Sequence, residues 1–276
     1  MKNTHFNSII LIGFIIFISH SIFAQSADEM IFMQKMKLPN GESKAKTALI
    51  IAKSFIGQPY KAATLEGNPK EQLVCNLRDF DCSTFVESVT AMTLTKYSKK
   101  PTYENFNTQL KNLRYRNGEV KGYASRLHYF REWMIQSEEN KIGQDITNLI
   151  GGIINKKEIN FMTKHRELYP TLKDEVAFGE VKNGQKHLNE YNFYYIPKEK
   201  VAKIESQIQD GDIIAITSTV EGLDFNHEGF AIQKNGRIYL LHASYDQKKI
   251  MISQEPLADY LNKIKKHSGI SVFRLL

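Results

Sequence analysis

Cysteine is scarce in this chain of 276 residues: there are two, Cys75 and Cys82, both in one short segment. That excludes a disulfide-stapled scaffold and a zinc site built on paired cysteines. His128, His165 and His187 do not fall at His-x-x-x-His spacing either, so nothing in the sequence calls for a metal or other cofactor. After residue 24 no apolar run approaches the length needed to span a membrane. No dense Lys/Arg stripe is interleaved with stacking aromatics, which excludes nucleic acid as the natural partner. The lysines at 263, 265 and 266 read as a solvated face. Internal repeats and low-complexity tracts are missing too, so the chain is not a solenoid or a linker-rich array.

What is present begins with a secretory pattern. Lys2 forms a short positive region, Ile9 to Phe23 is almost wholly apolar, and Ile22-Phe23-Ala24 ends on a small residue at the expected cleavage point. We expect residues 1–24 to be a signal peptide, with an uncleaved anchor as the alternative. No cysteine stands near the cleavage point to carry a lipid. Its removal takes away one charged side chain, Lys2, so the net charge goes from +7 to +6. The remainder, 25–276, is long enough for one domain with a good core. A modest basic excess over such a surface suits an anionic polymer such as the cell wall.

Along that domain, Ser43 is placed to cap a helix through Ala45, Leu49, Ile50 and Phe55, which Gly57 and Pro59 end. Gln72 to Leu77 alternates as an extended segment in which Cys75 packs as a small apolar group. A second helix starts near Cys82 and buries Phe85, Val86, Val89, Met92 and Thr93. Two more are expected over Tyr103 to Tyr115 and Ser125 to Glu138, and Gly151-Gly152 breaks the pattern. The stretch from about 100 to 200 reads as a mainly helical or irregular insertion. Pro197 then opens a helix to about Gln207. Strands follow over Ile213–Thr217, Glu228–Gln233, Ile238–Ala243 and Ile250–Ser253, with a last one at 270–275. The second and third are joined by Lys234-Asn235-Gly236-Arg237, a strong hairpin signal. Helices before antiparallel strands give an α+β layout.

The chemistry concentrates at Asp81-Cys82-Ser83-Thr84-Phe85-Val86-Glu87. Asp81 caps a helix whose first residue is a cysteine, and a helix N-terminus favours the thiolate. A cysteine nucleophile needs a base and an orienter for that base. His227 and His242 lie on the two strands of one hairpin, where side chains come within a few ångströms if the register agrees. Each histidine alone reads equally well as a satisfied interface residue, and spacing leaves both readings standing. Arg126, at helical spacing with Tyr129 and Trp133, reads as packing or as a holder of an anionic ligand group. Glu87, one turn into the helix, reads as structural.

Five segments in order carry a resemblance: Gly57-Gln58-Pro59-Tyr60, Asp81-Cys82-Ser83, Gly211-Asp212-Ile213-Ile214, His227-x-Gly229 and His242-Ala243-Ser244. Together they resemble the NlpC-type cell-wall cysteine hydrolases, which are papain-like in fold. The resemblance implies that Cys82 is the nucleophile, His227 the base and His242 the orienter. Tyr60, Asp81, Ser83 and Arg126 would complete the substrate and oxyanion side, with the Cys82 amide as an oxyanion donor. The chain departs from the common form at Thr84 and Phe85, where glycine is usual. Asn76-Leu77-x-x-Phe80-Asp81-Cys82, Ser125-Arg126-Leu127-His128-Tyr129 and Asn160-Phe161-Met162-Thr163 resemble one branch, associated with N-acetylmuramoyl-L-alanine amidase activity. An exported, periplasmic or envelope-associated enzyme acting on peptidoglycan or muropeptides is implied, with no stable membrane insertion once the signal is cut. Two alternatives remain: a stem-peptide endopeptidase cutting between D-glutamate and the diamino acid, and a catalytically silent wall-binding module.

Overall fold

In the computed structural model, residues 26–68 and 70–276 are described; the expected signal peptide lies outside them. The helices are α1 (Ala27–Met36), α2 (Lys44–Lys53), α3 (Cys82–Lys96), α4 (Tyr103–Arg114), α5 (Phe130–Glu139), α6 (Phe161–Lys164), α7 (Glu175–Leu188), α8 (Lys198–Ile204) and α9 (Leu257–Lys263). The strands are β1 (Gly143–Asp145), β2 (Ile153–Ile154), β3 (Tyr194–Pro197), β4 (Ile213–Ser218), β5 (Phe225–Lys234), β6 (Arg237–Ser244), β7 (Lys249–Ile252) and β8 (His267–Leu275). All pair antiparallel, in the order β2-β3-β8-β4-β5-β6-β7, with β1 also on β8. No helix among the described residues is long and apolar enough to cross a membrane.

Alternation along the strands divides the core in two. Ile213, Ala215, Phe230, Leu241 and Phe273 face α3 and pack with Phe85, Val86 and Val89. Ile214, Ile216, Ala231, Leu240 and Val272 face the other way, against Val201 of α8 and Leu257 and Leu261 of α9. α3 is enclosed on all sides: every residue from Thr84 to Thr93 is buried, polar ones included. It is therefore a central helix, where the apolar spacing had suggested a half-exposed one.

Two other expectations are corrected. The helix expected from Ser125 begins only at Phe130, because Arg126 is extended, bridges Tyr115, and Leu127 N–H bonds the Arg114 carbonyl at 2.9 Å. The 100–200 stretch contributes strands as well as helices, with β1 and β3 both docking on β8. The Gln72–Leu77 run joins no strand among the described residues, and Cys75 within it packs against the core and takes a hydrogen bond from the Tyr103 hydroxyl at 3.3 Å.

Glycine is required at Gly211, where φ is +87° and a Cβ would stand 1.9 Å from the Ala45 carbonyl oxygen. The turn it makes hands the buried Asp212, at the start of β4, to the half-buried Arg274 at 2.7 Å. The Gly-Asp motif is thus a tie between α2 and the sheet.

Candidate active site

α3 begins at Cys82 because Asp81 and Thr84 close a reciprocal capping box. Asp81 Oδ1 accepts from the Thr84 amide at 2.8 Å, and the Asp81 amide donates to Thr84 Oγ1 at 3.0 Å. This explains the departure at Thr84: its hydroxyl fixes the start of the helix. The Asp81 carboxylate is thereby committed to the cap. Cys82, as the first helical residue, has an amide with no intrahelical acceptor.

The segment 57–60 runs beside this helix start as an extra strand. Gly57 and Tyr60 amides bond the Ile250 and Lys248 carbonyls at 2.9 Å, and Tyr60 bridges Phe80 in parallel. Tyr60 is thereby set near Cys82: burial, then the Cys82, Asp81, Tyr245 and Glu228 charges, push its hydroxyl up to about 12. It stays a neutral hydrogen-bond donor. Its ring meets Tyr245 edge-on at 5.6 Å, and Lys248 Nζ lies 3.5 Å from the Tyr245 ring centroid.

The hairpin does bring the histidines together. His227 and His242 join through Nε2 and Nδ1 at 2.6 Å, with their rings at 84°. Gly229 of the His-x-Gly motif lies between the strands; a Cβ there would meet the Leu241 carbonyl at 2.7 Å and His242 Cβ at 3.0 Å. Any side chain would pry β5 from β6 and part the histidines. Burial holds His242 down to about 4 and His227 well below its ordinary value, so both are neutral near pH 7. Tyr260 of α9 meets the His242 ring at 5.5 Å and His267 at 5.7 Å, lengthening the aromatic row.

The thiol touches a residue that the sequence reading passed over. Cys82 hydrogen-bonds Glu228, through both the side chain and the amide of that residue, and Ser83 Oγ donates to Glu228 Oε2 at 3.1 Å. Among the described residues no hydrogen bond joins Cys82 to His227. Glu228 follows His227 on β5 and points with Phe230 toward α3, so thiol and imidazole pair flank consecutive residues of one strand. Tyr260, which packs on His242, also lies within electrostatic reach of Cys82. The expectation of a favoured thiolate is overturned: burial, then the Glu228 and Asp81 carboxylates, push the Cys82 thiol well up. Those effects outweigh the helix terminus. An acidic residue at a core-facing strand position was the available signal for Glu228.

Arg126 is buried and already answered, by Glu66 at 2.9 Å and Glu71 at 3.3 Å, with Tyr123 under its guanidinium. It borders a cavity of about 450 Å³ that Glu66, Glu71 and Tyr123 also line. An adjoining space of about 580 Å³ is walled by Tyr123, Tyr129, Tyr169, Met162 and Leu223. Arg126 makes no hydrogen bond to Cys82, His227 or His242 among the described residues. Glu87 pairs with Arg114 at 2.7 Å deep in the core, a structural role. Cys75 and Cys82 are both free thiols. Among the described residues no three His, Cys, Asp or Glu side chains gather as a metal-holding set.

The AmiA-like family, described as N-acetylmuramoyl-L-alanine amidase-like, matches residues 50–270. The chain belongs to that family. Its fold is similar to that of an N-acetylmuramoyl-L-alanine amidase from Bacteroides uniformis, at 36% identity and a TM-score of 0.80, covering 84% of this chain and 99% of that one. A Bacteroides fragilis protein named as a xylanase candidate is 34% identical, with a TM-score of 0.77 over 81% of this chain and 99% of its own. A Legionella pneumophila protein at 23% identity and a TM-score of 0.66 shares the fold, over 90% and 93% of the two chains. No curated protein matches. As a member of the AmiA-like family this chain is an amidase-like hydrolase.

Proposed function

We propose that this protein is an exported cysteine amidase of papain-like, NlpC-type architecture that cleaves between the lactyl carbonyl of N-acetylmuramic acid and L-alanine. The observation that carries the reading is the capped cysteine of α3 lying against the stretch of β5 that bears His227, itself paired with His242 of β6. Residues 1–24 act as the export signal, and 25–276 form a single catalytic domain working in the periplasm or envelope.

Cys82 rests as a neutral thiol, and His227 as a neutral imidazole. With Nε2–H donated to His242, the Nδ1 lone pair of His227 is left to take the thiol proton. Free-enzyme contacts of this kind are often long and tighten only with substrate. As the S–C bond forms, the carbonyl π pair moves to oxygen, where the Cys82 amide and the Tyr60 hydroxyl donate to it. The proton on His227 goes to the leaving L-alanine nitrogen. Water, deprotonated by His227, then attacks the thioester carbonyl; the C–S bond breaks, the muramoyl group leaves as its carboxylic acid, and His227 returns the proton to the Cys82 sulfur. A glycosidase reading would leave the thiol and the imidazole pair without a role.

The test is to offer N-acetylmuramyl-L-alanyl-D-isoglutamine beside the sugar-free stem peptide. Release of the free dipeptide amine from the first only is expected. Cleavage within the sugar-free peptide would replace the amidase by the endopeptidase.

A further inference from the structure

Most buried acids in this fold are answered by an arginine side chain, and Asp224 by the backbone amide of Arg131. Glu87 has Arg114, Glu205 has Arg237 and Asp212 has Arg274, at 2.6–2.7 Å. Glu228 is equally buried, with 5% of its surface exposed, yet its partners are a thiol and a hydroxyl. A carboxylate without a cation in a core is costly, and such a cost is met where a site requires it.

We propose that Glu228 is the positioning residue of the nucleophile: its carboxylate takes the Cys82 thiol and the Ser83 hydroxyl together and holds the sulfur as a neutral donor until substrate arrives. This rests on the reading of Cys82 as the nucleophile. The geometry has two consequences. Sγ is oriented from the strand, so its aim does not depend on a prior contact with His227. Attack must then begin with transfer of the thiol proton to His227 Nδ1, since no pre-formed thiolate is stored.

The groups facing Glu228 fix how this depends on pH. Cys82, Ser83 and Asp81 face it from the start of α3, Tyr60 from the 57–60 strand, and Asp224 from the turn before β5; His227 adjoins it in the chain. Burial, with Asp224 and Asp81 adding to it against the hydrogen bonds from Cys82 and Ser83, raises the Glu228 carboxyl to about 7. Above that pH the carboxylate opposes ionisation of the thiol. Below it the protonated acid no longer does.

The experiment uses a Cys75→Ser background, so that Cys82 is the thiol being read. Alkylation by iodoacetamide is followed from pH 5 to 10, beside kcat and KM on a muropeptide. In Glu228→Gln the alkylation midpoint should move down by at least about one pH unit, with roughly tenfold faster labelling near pH 9, where the parent carboxyl is ionised, and about twofold at pH 7. Its kcat should fall about tenfold while KM holds. Ser83→Ala keeps the charge, so its midpoint should stay with the parent. A Glu228→Gln midpoint that is unchanged or higher would overturn the proposal. Should that variant fail to fold, Glu228→Asp decides: its shorter carboxylate should lower kcat, and an unchanged kcat would overturn the proposal. Full turnover by Cys82→Ala would instead remove the nucleophile reading and leave the alkylation result standing.

Discussion

Truncating His242 to alanine removes one contact whose worth can be worked from the structure. The Nδ1 of His242 receives His227 Nε2–H at 2.6 Å, and His242 is only 3% exposed, so water does not replace it. A buried donor stripped of its acceptor costs about 1–3 kcal/mol. If that penalty falls on the oriented imidazole in the transition state, kcat/KM drops roughly 5- to 150-fold. His242→Asn supplies the control, because an asparagine Oδ1 can stand near the lost Nδ1 and accept the same proton. The assay is initial-rate turnover of a defined muropeptide at pH 7.5, with melting curves to confirm folding. The expected order is wild type, then Asn within about tenfold, then Ala. An alanine variant as fast as wild type, or an asparagine variant no better than alanine, would refute the orienting role.

Glu87→Ala leaves Arg114 charged and unpaired in the core. A loss of about 3–5 kcal/mol is expected, hence a fall in Tm of roughly 6–20 °C by circular dichroism; a shift under 3 °C or so would contradict the buried-pair account. Gly211→Ala should destabilise by well over about 2 kcal/mol, because strained φ and a 1.9 Å clash with Ala45 coincide. Gly236→Ala, also at positive φ but meeting nothing within 4 Å, should cost about 1–2 kcal/mol, and equal losses would discount the clash. Acid should destabilise the fold from about pH 6.5 downward. His242 and His267, held near 4, and His128, held near 3, are neutral where the unfolded chain has already bound protons, so stability falls as pH drops through that window. Glu228 and Asp224, raised to about 7 and about 6, act in the opposite sense, and Glu87, Glu138 and Asp145, raised too, join them; the balance is carried by the larger displacements of these three histidines and of His227, held well below its ordinary value. A Tm that rises from pH 7 to pH 5 would contradict this balance.

Much of the site was legible because its signals are local. Asp81 with Thr84 is a cap readable from four residues, and Asn235-Gly236 fixes the hairpin that joins the histidines. Gly57-Gln58-Pro59-Tyr60 was legible as a motif, but its role as an added strand depends on Ile250 and Lys248, about 190 residues away. The missed features are tertiary in origin. Ser125 looked like a helix start, yet backbone pairing of Arg126–Leu127 with Arg114–Tyr115 delays the helix by five residues. β1 to β3 are two to four residues long and exist because β8 offers an edge to β1 and β3, and β3 in turn offers one to β2. The state of the thiol was misread because the helix terminus is visible in sequence, whereas burial and the Glu228 carboxylate are not.

The central claim is that Cys82 does the chemistry. Mass spectrometry of purified muropeptides incubated with the mature protein and with Cys82→Ala tests it most directly. Free stem peptide and peptide-free glycan should accumulate with the wild type and be missing with the variant. The same products from Cys82→Ala, or none from the wild type, would contradict the account.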